Sequence, residues 1–238
     1  MSPPTANPPS EAMISSLQHW WSLAGVDLDY GDQPTASVTK PVPEEAVIPV
    51  RSEPLPESHE AFLDWLANGK ELAEATWSRS RVLPEGILEP EIMTISALPE
   101  KSRDGSVRLF NQENQKLLNN MLAAIGGDSE KSYMATIALS LPVDGRIDEQ
   151  HWKALKIRLF HHIGLVRPKR IICFGDLAAK IIFGEDLLSA RKNKQIINHG
   201  ASETEAIVTF HPRILIERPL FKAEAWKDLQ MLTRISAP

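Results

Sequence analysis

The run Thr209-Phe210-His211-Pro212-Arg213 puts an imidazole where an apolar strand ends. Pro212 stiffens the exit, and the guanidiniums of Arg213 and Arg218 flank it. An imidazole at a ligand-facing strand end can donate a hydrogen bond to a developing negative charge, or it can hold the loop by a structural bond. Phe110, just ahead of a helical stretch, offers either a face for a planar group to stack on or ordinary core packing. Arg191-Lys192-Asn193-Lys194 reads as a basic loop or hairpin start, able to meet a phosphate backbone or to stand solvated. Other residues exclude chemistry. His161-His162 have no Cys or carboxylate at ligand spacing, and no Walker-type or dinucleotide glycine loop occurs. Cys173, the single cysteine, lies inside an apolar run, so it reads as a packed residue; one thiol rules out an intramolecular disulfide, a four-cysteine cluster and a cysteine zinc site. No metal and no cofactor are expected.

From about residue 90 the chain alternates strand and helix. Strands are expected at Ile92–Ile95, Tyr133–Leu141, Arg170–Phe174 and Ala206–Phe210, with helices at Gln112–Ile125, Asp148–Leu165, from Gly175 to Phe183, and Pro219–Ile235. Such alternation implies an α/β fold, a three-layer α/β/α sandwich on a mainly parallel four-stranded sheet. Right-handed crossovers then put ligands at the carboxyl ends of the strands: Ser96–Pro99, Leu141–Arg146, Gly175 and His211–Pro212. Ahead of this lie a helix at 58–76, a Pro-rich linker at 31–58 and a short helix over 11–24 whose stripe includes Trp20 and Trp21. The division expected is an arm, 1–57, and an α/β domain, 58–238.

The 238 residues are 42% hydrophobic and 24% charged, ordinary for a soluble globular protein. The net charge of -5 is unevenly spread: residues 151–238 hold 15 basic and 8 acidic side chains, whereas residues 1–150 hold 11 and 23. The basic half can face phosphates. No apolar run approaches a membrane span, and the first residues lack a signal-peptide pattern, so no membrane is expected and the protein reads as cytoplasmic.

The stretch Thr209–Gln230, with His-Pro, a second Pro at 219 and a helix carrying Lys222, Trp226, Asp228 and Leu229, resembles the closing motif of the bacterial and archaeal uracil-DNA glycosylases that hold an iron–sulfur cluster, the family 4 type. Pro168–Ala179 is similar to that family's strand, glycine turn and helix, and Leu109-Phe110 with the following helix to the segment whose Phe stacks on uracil. The resemblance makes His211 the catalytic residue, donating to the departing uracil. It makes Ala97, Leu98, Pro99, Phe110 and Thr136 base-binding. Arg146 matches a motif arginine; with it, Arg191, Lys192, Arg213 and Arg218 form the expected DNA-binding set. The departures are as informative. Ala97 stands where the family has its water-activating Glu, Thr136 where Asn reads the uracil edge, Leu139 for Lys, and Ser140 for a cluster cysteine. Glu100 and Asp104 are nearby acids at the wrong spacing for a direct replacement.

Those losses point first to a catalytically impaired DNA-binding module related to base-excision repair. The alternative is an active, divergent DNA N-glycosylase that works through His211 on uracil or another deaminated base. The expected partner is DNA, single-stranded or damaged. A third reading gives the Trp20-Trp21 helix, residues 11–24, a protein-docking role; its counterpart is packing of those rings onto the α/β domain.

Overall fold

The computed structural model describes residues 54–78, 80–200 and 202–233. The expected Trp20–Trp21 helix and nearly all of the Pro-rich linker lie outside them.

Short apolar strands alternating with amphipathic helices close into one sheet. In chain order the strands are β1 (Glu85–Gly86), β2 (Ile92–Ser96), β3 (Glu100–Lys101), β4 (Val107–Arg108), β5 (Tyr133–Thr136), β6 (Arg170–Phe174), β7 (Gln195–His199) and β8 (Ser202–Thr209). The helices are α1 (His59–Asn68), α2 (Gln112–Ala124), α3 (Glu149–Val166), α4 (Asp176–Phe183), α5 (Leu187–Ala190), α6 (Pro212–Glu217) and α7 (Lys222–Thr233). Six strands pair in the order β1-β5-β2-β6-β8-β7, while β3 and β4 form a separate hairpin. The inner four, β5, β2, β6 and β8, are parallel, and they are the four strands expected. All five residues of β2 are buried, as a strand covered by helices on both faces requires.

Side-chain alternation divides the core in two. Met93, Ile95, Ile171, Cys173 and Val208 face Leu155, Leu159 and Ile163 of α3 and Ala178 and Ile182 of α4. Ile92, Ile172, Phe174 and Ile207 face Leu118 and Leu122 of α2, Leu215 of α6 and Leu229 of α7. This is the three-layer α/β/α sandwich. No helix among the described residues is long and apolar enough to cross a membrane.

Several elements differ in extent from the sequence expectation. The sheet gains antiparallel edges, β1 on β5 and β7 on β8. The last helix begins late because its expected first turn, Pro219–Phe221, is 3-10, and Pro219 disfavours helical geometry at the preceding Arg218, which sits at φ -133, ψ 79. The chain forms α6, breaks at Arg218, and resumes through a 3-10 turn into α7. Helix α1 stops at Gly69, where the Arg81 guanidinium caps the carbonyls of Leu66, Ala67 and Gly69 at 3.0, 3.0 and 2.6 Å. Strand β5 ends at Thr136, not Leu141: Ile137 and Ala138 still bond to β2 and Ala97, but the Leu139 N–H turns to Glu74 Oε1 at 3.0 Å.

The paired histidines of α3 serve this architecture. Tyr133 Oη bonds to His162 Nε2 at 2.9 Å and to His59 Nε2 at 2.8 Å, and His161 Nε2 bonds to the Pro56 carbonyl at 2.8 Å, tying α1 and its approach to the sheet. Burial pushes the His162 imidazole down to about 3, so it is a neutral core group.

Candidate active site

The last register row of the parallel strands is Thr136, Ser96, Phe174 and Thr209, all on the face covered by α2, α6 and α7. Just past this row, β8 runs through Phe210 into His211. There the chain turns into α6, with Pro212 at its first turn. His211 is the N-cap of that helix, and its Nδ1 accepts the Arg213 backbone N–H at 3.2 Å. The imidazole stacks on Phe110, with centroids 5.6 Å apart and planes at 25°, and meets Phe174 edge-on at 6.3 Å. Gly175, at φ 89, makes the sharp turn from β6 into α4 beside it.

Two consequences follow for His211. Burial, reinforced by the Arg213 guanidinium, lowers its pKa to about 4, so the ring is neutral at pH 7. A backbone N–H can only donate, so Nδ1 is the bare nitrogen and the proton sits on Nε2. Glu100 Oε1 lies 3.6 Å from that Nε2.

Glu100 opens β3 immediately after the buried Pro99. Its Oε2 accepts the Asn111 N–H at 2.7 Å, and Asn114 Nδ2 lies 2.7 Å from both carboxylate oxygens. Asn111 also caps α2, accepting the Asn114 N–H at 3.0 Å. The carboxylate thus sits over a helix N-terminus, where partial positive charge favours it. Its side chain is 11% exposed and that of His211 is 15%.

The structure brings together His211 and Phe110 from the expected site and adds Glu100, Asn111, Asn114 and Phe174. Phe110 is 3% exposed with His211 over its ring, so it supports the imidazole and does not stand free as a stacking platform. Its edge borders a groove of about 1130 Å³ between α2 and the β3–β4 hairpin, lined by Lys101, Arg103, Arg108, Gln115 and Lys116 among others. His211 and Glu100 are not among the groove's lining residues. Ala97 and Leu98 are half-buried against the α3 side of the core. Thr136 is buried in the last row, its hydroxyl without a partner among the described residues.

Of the basic residues, Arg146, Lys192, Arg213 and Arg218 are exposed. Arg191, also expected among the DNA-binding residues, is turned inward, its side chain largely buried. Its Nε and an Nη bond to the two Asp228 oxygens at 3.0 Å each, another contact reaches Glu224 at 3.3 Å, and the guanidinium covers the Phe210 ring at 4.6 Å. Asp228 in turn accepts the Thr209 hydroxyl at 2.8 Å, tying α7 to the strand that carries His211. Arg191 therefore positions the site.

The residues do not fit an iron–sulfur cluster. Ser140, at the family's cluster-cysteine position, is fully buried and donates to the Glu74 carbonyl at 3.2 Å. Beside it, Glu74 and Arg158 form a buried ion pair at 2.6 Å, with Arg158 also bonding the Ile137 carbonyl at 2.7 Å. The chain's one thiol, Cys173, is in the core, and burial holds it protonated. Among the described residues no group of three His, Cys, Asp or Glu side chains can hold a metal ion.

The family model of the Uracil DNA glycosylase superfamily matches residues 83–230, which span the whole six-stranded sheet, from β1 to β8, and most of α7. The chain is 24% identical over 164 residues to a type-4 uracil-DNA glycosylase of Pyrobaculum aerophilum, covering 65% of this chain and 83% of that protein. It is 27% identical over 150 residues to a type-4 uracil-DNA glycosylase of Archaeoglobus fulgidus, covering 60% and 75%. With the family pattern matched across the strands and turns that build the His211 corner, this chain belongs to the uracil-DNA glycosylase superfamily.

Proposed function

We propose that the protein is a divergent DNA N-glycosylase that removes uracil or another deaminated base from DNA, with His211 as its catalytic residue. The observation that carries this reading is the state of His211: neutral, with Nδ1 committed to the Arg213 N–H and the proton left on Nε2. When the bond between C1′ and the base nitrogen breaks, its electron pair moves into the base and gathers on a carbonyl oxygen. A fixed neutral donor stabilises that oxygen without transferring its proton. Deamination is what gives a base such an extra carbonyl. Exposed Arg213, Arg218, Lys192 and Arg146 then supply phosphate contacts. On this reading residues 58–238 form the catalytic domain, 1–57 an added arm, and a genomic substrate suits a cytoplasmic location.

A second reading is favoured by Ala97 and Thr136, which cannot do the work of the family's Glu and Asn: a module that binds DNA without cleaving it. The test uses single- and double-stranded oligonucleotides carrying uracil, hypoxanthine or xanthine, alkaline cleavage after incubation, and His211→Ala alongside. Binding is measured at two salt concentrations. Cleavage that disappears in His211→Ala is the expected result; salt-sensitive binding without cleavage overturns it in favour of the binding module.

A further inference from the structure

The carboxylate missing at position 97 has a counterpart in space. We infer that Glu100 is the carboxylate of this site, orienting the water that attacks C1′ and opposing the positive charge on the sugar. The inference rests on the glycosylase reading above and deepens it.

Three observations carry it. The first is place: Glu100 Oε1 lies 3.6 Å from His211 Nε2, the atom assigned to the leaving base, so both groups line one corner at the carboxyl ends of the strands. The second is support. Asn114 is 2% exposed, and its amide lies 2.7 Å from both carboxylate oxygens; the Asn111 N–H completes the cradle. A buried amide devoted to one carboxylate is how a side chain is held ready in one geometry. The third is charge. Among the described residues no Lys or Arg lies within ion-pair distance of Glu100, and His211, the one basic side chain within 4.0 Å, is neutral. A largely buried carboxylate without a cation costs stability, and such an arrangement serves a developing positive charge better than it serves the fold.

The reaction balances as hydrolysis. The C1′–N bond breaks with its electron pair leaving on the base, whose carbonyl oxygen is held by His211 Nε2–H. A water oxygen forms the new bond to C1′, one water proton passes to Glu100, and that proton is later released to solvent or to the departed base. Glu100 thus does in this chain what Ala97 cannot.

The test is single-turnover release of uracil from a uracil-containing oligonucleotide by the full chain and by Glu100→Gln, Glu100→Ala and His211→Ala. Gln is accommodated by the same cradle, with its oxygen on the Asn111 N–H and the Asn114 amide turned to present its oxygen. The expected result is a loss of about 100-fold or more in rate for Glu100→Gln. Its binding of an oligonucleotide carrying 2′-fluoro-2′-deoxyuridine, which resists cleavage, stays within about threefold of the wild-type value. Added formate restores Glu100→Ala by about tenfold or more and leaves His211→Ala unchanged, a response that a merely structural glutamate would not give. Wild-type rates in Glu100→Gln, with His211→Ala inactive, overturn the role of Glu100 and leave the glycosylase reading standing. No uracil release by the wild-type protein overturns both.

Discussion

Two buried glutamates in this molecule are held in opposite ways. Glu74 is fully buried and meets Arg158 at 2.6 Å, between the end of β5 and α3, with the Leu139 N–H on the same oxygen. Glu100 is largely buried, its side chain 11% exposed, but its partners are an amide, a backbone N–H and a neutral imidazole. The first charge is neutralised where it stands, beside the buried Ser140 hydroxyl. The second is hydrogen-bonded but not neutralised. A paired charge locks segments together, whereas an unopposed one is available to chemistry.

The contrast can be broken by removing partners. The largest effect is expected at the structural pair. Arg158→Met leaves Glu74 buried and uncompensated, at a cost of about 3–5 kcal/mol in urea unfolding. The double replacement Glu74→Leu with Arg158→Met recovers most of that loss, because an apolar pair needs no desolvated charges. A double variant as unstable as the single one would mean that Glu74 does more than pair.

Acid acts next. His211 and His162 have pKa values of about 4 and about 3 in the fold, against an ordinary 6.5. Between those limits the unfolded chain binds more protons than the folded one. Stability is therefore complete above pH 6.5 and falls as pH drops, by up to about 1.4 kcal/mol per unit for each group. Urea midpoints from pH 7 to 4 check this, and a flat profile would contradict the buried, neutral state of both rings.

Smaller effects separate the two kinds of arginine. Arg191→Ala removes the bidentate partner of Asp228 and is expected to cost about 1.5–3 kcal/mol of stability while leaving the salt dependence of DNA binding unchanged. Arg213→Ala is expected to leave stability within about 0.5 kcal/mol and to lower the slope of log affinity against log salt by about one. Glu100→Gln should hold or raise the melting temperature, since it relieves a buried charge that the fold does not neutralise; marked destabilisation would place Glu100 with Glu74 as a structural group.

The parallel sheet was legible because its four inner strands are apolar runs separated by amphipathic helices, and the His211–Pro212 exit because proline follows a strand end. The edges were not. β1 has two residues, and in β7 the polar Gln195 and Asn198 sit around two isoleucines, so neither shows a period of its own. Arg191 looked like a surface charge because its partner Asp228 lies 37 residues on. Glu100 lies three residues past Ala97, the wrong spacing for a direct replacement along the chain. What puts it in the site is the hairpin that turns it over the start of α2, where donors 11 and 14 residues away receive it. Asn111 and Asn114, polar residues at a helix start, are the signal that marked the cradle.

Catalysis through His211 turns on the protonation of one ring, and nitrogen-15 NMR of the histidine side chains reads it directly. At pH 7, His211 is expected as a neutral imidazole with its proton on Nε2 and Nδ1 bare. A proton on Nδ1, or an imidazolium at that pH, would remove the preset donor and contradict the account.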